Sequence, residues 1–413
     1  MPHSRPLRVL FVCGADFRAP SEKQVLAFST ELLRLGHEVM ISFGGDPASV
    51  SEERVDSIEG LIVHRHRLVG PRPGRADLSA ARSFRPDLIH AFNSRHPVIA
   101  AARSYSRATR AAVLVHFEDD EWGLARGPDG MPPTARAQRL VRRAAGVAWP
   151  RAWTLSTRGS LEWTRRHAAG LDAVTPTLAE HVTERLGREC AVVFPMADSA
   201  GPAAAPQLPP HLEEGHLVML TGALYPAHEA DARIGMQAVA QVRGRGIDAV
   251  FVHCGAVAPS IDAAALAREC GLDDRSSVFL GHLPAERARA LLARAAVLIQ
   301  PGGPTEFNRL RLPAKLHPYL ASGRPTVTFA TGFGELLEDR KEVLKTYTGD
   351  PGELAERIAE LLDDPDLSRT LAANGPLAAA RFFDARRNTD ALLAHYRHVL
   401  GLEDRHPVAH RPA

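Results

Sequence analysis

The decisive stretch of this sequence is Phe307-Asn308-Arg309-Leu310-Arg311-Leu312-Pro313-Ala314-Lys315, which continues to Tyr319-Leu320-Ala321-Ser322-Gly323-Arg324-Pro325. It follows an apolar run, Ala296-Val297-Leu298-Ile299, that is typical of a buried parallel strand. Pro313 near the start and Gly323 at the end predict a helix. The residues after Gly323 predict a further strand, so the stretch indicates a strand, a loop, a helix and a strand in succession.

Three basic side chains lie where the predicted strand, loop and helix N-terminus meet, namely Arg309, Arg311 and Lys315. A helix N-terminus offers free N–H groups and a partial positive charge, so this position suits a phosphate. Lysine is rare in the chain, occurring elsewhere only at positions 23, 341 and 345, which singles out Lys315. The alternative interpretation of the segment is a solvated basic turn.

The composition is typical of a soluble globular protein, and the length predicts two domains. The chain has 413 residues, of which 45% are hydrophobic and 24% charged, and its formal net charge of +2 gives no signal for nucleic acid. Four cysteines lie at unpaired spacings, which favours reduced thiols in the cytoplasm over a disulfide or zinc framework. We see no signal peptide and no apolar run near the roughly 20 residues of a membrane span.

Strand patterns alternate with helix patterns along most of the chain, which predicts parallel, doubly wound sheets. The alternation breaks at 199–212, where prolines and alanines predict a linker. We therefore predict an N-terminal Rossmann-like domain over 1–198 and a C-terminal one over 213–383, facing a central cleft. A last helical pattern over 384–402 has an apolar stripe that includes Leu392, Tyr396 and Val399, and we expect it to pack back on the N-terminal domain.

Short motifs occur in a recognisable order over some 350 residues. They are Leu35-Gly36-His37-Glu38-Val39, Arg85-Pro86-Asp87-Leu88-Ile89-His90, Leu220-Thr221-Gly222-Ala223-Leu224, Leu280-Gly281-His282-Leu283-Pro284 and the Tyr319–Pro325 helix end quoted above. With the two domains and the linker, they resemble the GT-B glycosyltransferases, specifically the retaining enzymes of glycosyltransferase family four.

The resemblance implies a hexosyltransferase-type enzyme that moves a sugar from a nucleoside diphosphate to an acceptor hydroxyl with retention. It implies no metal and no cofactor beyond the nucleotide-sugar co-substrate. The C-terminal domain would hold the donor, with the diphosphate at Gly222, Arg309, Arg311 and Lys315, while Glu306 would serve the sugar hydroxyls. The N-terminal domain would hold a small-molecule, glycan or lipid-linked acceptor.

The sequence departs from the family pattern at three donor positions. Ala223 and His228 stand where the family has an arginine and a lysine on the diphosphate, and Pro318 stands where it has a glutamate on the ribose. Either the basic loop replaces the lost cations, or the site is degenerate. Three functions therefore stay open: a glycosyltransferase, a GT-B pseudo-glycosyltransferase or epimerase, and a catalytically inactive partner subunit.

The N-terminal domain offers candidate catalytic and acceptor residues. His116 ends a strand where the family places a histidine that faces the donor sugar, and a neutral imidazole can hydrogen-bond a hydroxyl. The acidic run after it, with Glu118 and Asp119, could meet an acceptor or be a solvated loop. Further acceptor candidates follow the first strand, and these are Asp16, Arg18 and Ser21.

Arginines and three of the four tryptophans cluster within 136–166. This composition can indicate a peripheral contact with an anionic membrane, here at the inner face, but it favours a helical insert whose tryptophans pack inward and whose arginines are solvated.

Overall fold

A computed structural model describes residues 5–14, 20–44, 58–66, 73–126, 149–196, 207 and 215–402, with the backbone alone at some helix and strand ends. The chain divides into two compact units. Unit 1 comprises Met1–Gly127, Gly146–Met196 and Asp384–Ala413, and unit 2 comprises Pro128–Ala145 and Ala197–Phe383. Most of the predicted linker at 199–212 lies outside the described residues.

Unit 1 is built on a seven-stranded parallel sheet in the order β3-β2-β1-β4-β5-β6-β7. Its strands are β1 (Arg8–Cys13), β2 (Glu38–Gly44), β3 (Ile62–His66), β4 (Leu88–Phe92), β5 (Ala112–Phe117), β6 (Gly170–Ala173) and β7 (Ala191–Val192). The helices are α1 (Pro20–Arg34), α2 (Arg75–Phe84), α3 (His96–Thr109), α4 (Glu121–Arg126), α5 (Trp149–His167), α6 (Pro176–Leu186) and, from the chain's end, α14 (Ala385–Val399). Because β1, β4 and β5 are apolar and almost wholly buried, they form the centre of the sheet.

Unit 2 repeats this plan with a six-stranded parallel sheet in the order β10-β9-β8-β11-β12-β13. Its strands are β8 (His216–Thr221), β9 (Ala249–Cys254), β10 (Ser277–Phe279), β11 (Val297–Gln300), β12 (Thr326–Phe329) and β13 (Leu344–Thr346). The α-helices are α7 (Glu229–Gly244), α8 (Ala263–Glu269), α9 (Ala285–Leu292), α10 (Glu306–Leu310), α11 (Leu316–Ala321), α12 (Pro351–Asp363) and α13 (Pro365–Phe383). The prediction of two Rossmann-like parallel sheets is confirmed.

The helix expected to contain Pro313 begins later than the sequence pattern indicated. Arg311 is extended, with ψ of 153°, and ends α10, while α11 starts only at Leu316. Leu312 precedes a proline and is therefore kept out of the helical region, which explains the break. The predicted N-terminal phosphate position is thus a loop, Arg311–Lys315, followed by a helix of six residues.

The last helix, α14, packs on the sheet of unit 1. Leu392, Leu393 and Tyr396 are buried in a cluster with residues of β1, β4 and α1. The Asn388 side chain donates a hydrogen bond to the carbonyl of Pro195 at 2.8 Å, and Val399 lies against Gly170 in β6. The helix therefore completes the core of unit 1 rather than that of unit 2.

We predict that Leu392→Ala destabilises the protein by about 2–5 kcal/mol, because the side chain is fully buried and its removal leaves a cavity. Leu377→Ala in α13 is the matched control, since that leucine is 65% exposed, and it should change stability by less than about 0.5 kcal/mol. Urea denaturation followed by circular dichroism measures both. Equal effects of the two substitutions would contradict the packing of α14.

Candidate functional site

The carboxyl edge of the unit 2 sheet is where a ligand is expected, because the strand order reverses between β8 and β11. Gly222 follows β8 with φ of +108°, a conformation that favours glycine. Its N–H donates to the carbonyl of Cys254 at 2.9 Å, and a Cβ on Gly255 would lie 2.0 Å from the Gly222 oxygen. The loops after β8 and β9 therefore touch through backbone atoms.

Lys315 lies over this loop. A Cβ built on Gly222 would come 3.4 Å from Lys315 Cε and 3.7 Å from Nζ. The side chain is half-buried, and among the described residues the structure gives its ammonium group no hydrogen-bond or ion-pair partner. Burial lowers the pKa of Lys315 to about 8, and the nearby Arg311 acts in the same direction. A half-buried cation that lacks a partner among the described residues, at this edge of the sheet, suits an anion.

Arg311 contributes a second positive charge that the protein itself holds in place. Its guanidinium donates to Asp231 at 3.0 Å and lies 4.5 Å from the centre of the Phe307 ring. The Arg311 side chain is only 12% exposed, so its guanidinium is largely shielded from solvent, while the Phe307 ring is 47% exposed. Asp231 on α7 was not among the residues predicted from the sequence.

Glu306 and Arg309, both predicted site residues, pair with each other on α10. The guanidinium donates to the two carboxylate oxygens at 2.7 and 2.8 Å, and the side chains are 56% and 40% exposed, respectively. The structure thus brings them together at the surface beside Arg311. Their roles toward the sugar and the diphosphate stay predictions.

Two histidines lie near Lys315 at the same edge; from the sequence, His228 was named only as a departure from the family pattern and His253 was not singled out. His228 is half-buried with Nδ1 3.3 Å from the carbonyl oxygen of Ala223, and its pKa is lowered by burial and by Lys315. The buried His253 near the end of β9 has its pKa lowered to about 4, chiefly by burial. Neutral imidazoles beside an ammonium group add hydrogen-bonding capacity without repelling it.

In unit 1, His116 belongs to a fully buried hydrogen-bonded cluster. Its Nδ1 meets one oxygen of Asp172, and His90 Nε2 lies 2.9 Å from the other. His90 Nδ1 in turn lies 2.8 Å from the hydroxyl of Tyr396 on α14. The register of β4, β5 and β6 places His116 opposite both Phe92 and Asp172, so these side chains share the sheet face that α14 covers.

The pKa shifts in this cluster favour an ionised Asp172 carboxylate. Although burial opposes ionisation, the two histidines hold the pKa of Asp172 well below its ordinary value. Burial also opposes the charged form of His116, but Asp172 outweighs it and raises the pKa of that histidine. Burial, the largest influence, lowers the pKa of His90. The possible metal-ligand atoms of Asp172, His90 and His116 lie within 4.8 Å of one another, a spacing that would also suit a metal ion. The hydrogen bonds described above already explain why the three side chains lie close together.

The remaining predicted acceptor residues are only partly described. Arg95 donates to Asp119 at 3.1 Å and to the buried Glu121 at 3.0 and 3.2 Å, while burial raises the pKa of Glu121 to about 7. Glu118 is half-buried on the same loop. Asp16 and Arg18 lie outside the described residues, and only the backbone of Ser21 is described.

The segment proposed for a membrane contact is likewise described in part. Positions 136–148 lie outside the described residues, and α5 covers the rest. In α5, Arg165 and Arg166 both pair with Glu162, and Trp163 lies under the guanidinium of Arg103 at 5.6 Å. Across the described ranges, no helix combines the length and apolarity needed to cross a bilayer.

Comparison with known proteins defines the class. The family model for glycosyltransferase family 4 matches residues 21–200, and that for group 1 glycosyl transferases matches residues 215–364. These matches correspond to the two parallel-sheet units, so the chain has the GT-B fold. It is a glycosyltransferase of the group 1 type.

One relative and several solved structures resemble the chain along most of its length. A 2-deoxystreptamine glucosyltransferase from Streptomyces kanamyceticus is 28% identical over 406 residues, covering 92% of this chain and 99% of the relative. Anabaena HepE, solved in complex with UDP and glucose, has a TM-score of 0.70 at 14% identity and covers 95% of this chain and 100% of its own. A sucrose-phosphate synthase from Thermosynechococcus elongatus has a TM-score of 0.65 at 15% identity, with coverage of 96% and 100%. The structural likenesses support the fold alone.

We predict that Lys315→Met stabilises the free protein at pH 7 by on the order of 2 kcal/mol. The folded pKa of about 8 lies below the ordinary 10.5, so holding the charged lysine costs stability below pH 8, and this cost fades as pH rises toward 10.5. Denaturant unfolding at pH 7 and pH 10 should show the gain shrinking at the higher pH.

Lys341→Met is the control for this experiment, because Lys341 is 55% exposed in a surface pair with Glu338. It should change stability by less than about 1 kcal/mol. A loss of stability in Lys315→Met at pH 7 would show that the ammonium group has a partner in the folded protein.

Proposed function

We propose that this glycosyltransferase transfers a hexose from a nucleoside-diphosphate donor to an acceptor hydroxyl with retention of configuration. The observation that carries the proposal is the half-buried Lys315 ammonium group, unpartnered among the described residues, over Gly222 at the switch point of the unit 2 sheet. A diphosphate supplies the negative charge that this group lacks. Anabaena HepE, which shares the fold, was solved with UDP and with UDP-glucose.

Lys315 and Arg311 would act on the leaving group. When the bond between the anomeric carbon and the diphosphate oxygen breaks, negative charge grows on that oxygen, and fixed cations stabilise it. The acceptor oxygen forms the new bond on the same face of the sugar, and its proton passes to the departing diphosphate. Two protein cations can supply this stabilisation, so we propose a reaction that needs no metal.

Other unit 2 residues would complete the donor site. Gly222 would let the diphosphate approach the backbone, since its φ of +108° favours glycine and a glycine adds no side chain there. We assign Glu306 to the sugar hydroxyls, with Arg309 holding its carboxylate. The positive charges of Arg311 and Lys315 would compensate for the arginine that Ala223 replaces. His228, which is neutral, occupies the position of the family's lysine.

For the acceptor we propose a small polyhydroxylated compound of the aminocyclitol kind. This rests on the relative named as a 2-deoxystreptamine glucosyltransferase. Glu118 and Asp119, on the loop after β5, would meet its amino or hydroxyl groups, and His116 would contact a reacting hydroxyl. We place the reaction in the cytoplasm, which accords with four buried cysteines that form no disulfide.

Transfer is favoured over epimerisation. A UDP-N-acetylglucosamine 2-epimerase shares the fold with a TM-score of 0.55 at 13% identity, which supports the architecture alone. Two glycosyltransferase family models match the chain, and the glucosyltransferase relative covers nearly its full length.

A direct test is incubation with UDP-glucose and 2-deoxystreptamine, with mass spectrometry for the glucosylated product and proton NMR for its anomeric configuration. We expect an α-linked product from the α-linked donor. Release of a 2-epimer would favour the epimerase, and UDP binding without turnover of a panel of donors and acceptors would favour an inactive partner subunit.

The charge at position 315 should set UDP affinity. Lys315→Ala should weaken binding about tenfold or more, because a charge-assisted hydrogen bond contributes roughly 1.5–3 kcal/mol. Affinity of the wild type should fall as pH rises above 8, while Lys315→Arg should retain its affinity at pH 9.5, since arginine keeps its charge. Calorimetry at pH 7 and 9.5 measures both, and unchanged affinity in Lys315→Ala would move the diphosphate elsewhere.

A further inference from the structure

We propose that Asp172 is a positioning residue that fixes the tautomer of His116, so that His116 Nε2 is the atom available to substrate. This inference rests on the proposed role of His116 in transfer. Asp172 is fully buried between the two imidazoles, with one carboxylate oxygen toward each.

The hydrogen-bond donors and acceptors of the cluster allow one self-consistent assignment. An ionised carboxylate only accepts, so His116 Nδ1 and His90 Nε2 must both carry protons. His90 Nδ1 is then a lone pair, and the Tyr396 hydroxyl donates to it at 2.8 Å. Every polar atom along this chain has its partner until His116 Nε2.

His116 Nε2 is buried and has no hydrogen-bond partner among the residues that the structure describes. A buried nitrogen without a partner is costly and calls for an explanation, of which a catalytic role is one. His116 lies next to the end of β5, and its ring stacks on Phe92 with 4.3 Å between ring centres. Packing and Asp172 together hold the ring, so Nε2 has a fixed direction in which a hydroxyl could satisfy it.

Tyr396 extends this chain of hydrogen bonds to α14. His90 is pinned between Tyr396 and Asp172, and it keeps the carboxylate turned toward His116. Helix α14 thus helps to hold the proposed catalytic side chain of His116 in place, in addition to packing against the apolar core.

The test is the protonation state of His116 nitrogens, read by ¹⁵N-histidine NMR of the full chain. The chain has 19 histidines, so the signals that vanish in His116→Gln make the assignment. We expect protonated Nδ1 in the wild type. In Asp172→Asn the amide oxygen should accept from His90 Nε2, whose proton the Tyr396 contact holds in place, so the amide NH2 faces His116 Nδ1 and the His116 proton should move to Nε2.

Kinetic measurements distinguish a positioning role of Asp172 from a purely structural one. Asp172→Asn should lower kcat on the order of 10²-fold while the KM for donor and the affinity for UDP change less than about threefold. Tyr396→Phe should lower kcat by a smaller factor. Asn388→Ala, which removes a different buried hydrogen bond of α14, is the matched control and should leave both kcat and the tautomer unchanged.

Three results would overturn the inference: unprotonated Nδ1 in wild-type His116, an unchanged kcat in Asp172→Asn, or stoichiometric metal bound at the cluster by elemental analysis. The NMR measurement needs no substrate and stands even if Asp172→Asn folds poorly. A wild type that transfers no sugar would instead refute the proposed function, so the two failures are distinguishable.

Discussion

Removing a charged group from water costs several kcal/mol unless an opposite charge or hydrogen bonds replace the solvent. The two units differ in how they compensate a charge that is removed from water. In unit 1 the buried carboxylate of Asp172 has a histidine on each oxygen, so the protein neutralises the charge internally. In unit 2 the half-buried ammonium group of Lys315 has no hydrogen-bond or ion-pair partner in the part of the chain that the structure describes, and the nearby Asp231 is paired with Arg311. The carboxylate charge is thus compensated within the protein, and the proposed diphosphate would compensate the ammonium charge.

The parallel arrangement of the strands explains where polar side chains gather in each unit. Both sheets bring the carboxyl ends of several strands to one edge, where loops with polar side chains meet. Gly222 and Gly255 let two of those loops touch, which leaves the space above Gly222 to the Lys315 side chain. Ala223 and His228, which replace an arginine and a lysine of the family pattern, lie on this same loop. Lys315 therefore lies close to the positions where the family has these two cations.

Much of this organisation could be predicted from the sequence because it depends on local patterns. Alternating apolar strands and amphipathic helices predicted both sheets, and the rarity of lysine singled out Lys315. The partners of these residues could not be predicted, because they lie far away along the chain. Asp172 is 56 positions from His116, and Tyr396 is 306 positions from His90, so no spacing rule connects them. The helix expected at Pro313 was misplaced because a proline can precede a helix as well as start one.

The most direct test of the central claim is an amine-acylation footprint at pH 8, read by mass spectrometry with and without UDP. The chain has four lysines, at positions 23, 315, 341 and 345, so three serve as internal controls. Lys315, with its lowered pKa, should react readily in the free protein and become protected when UDP binds, while Lys23, Lys341 and Lys345 should react equally in both samples. Equal acylation of Lys315 with and without saturating UDP would contradict the account.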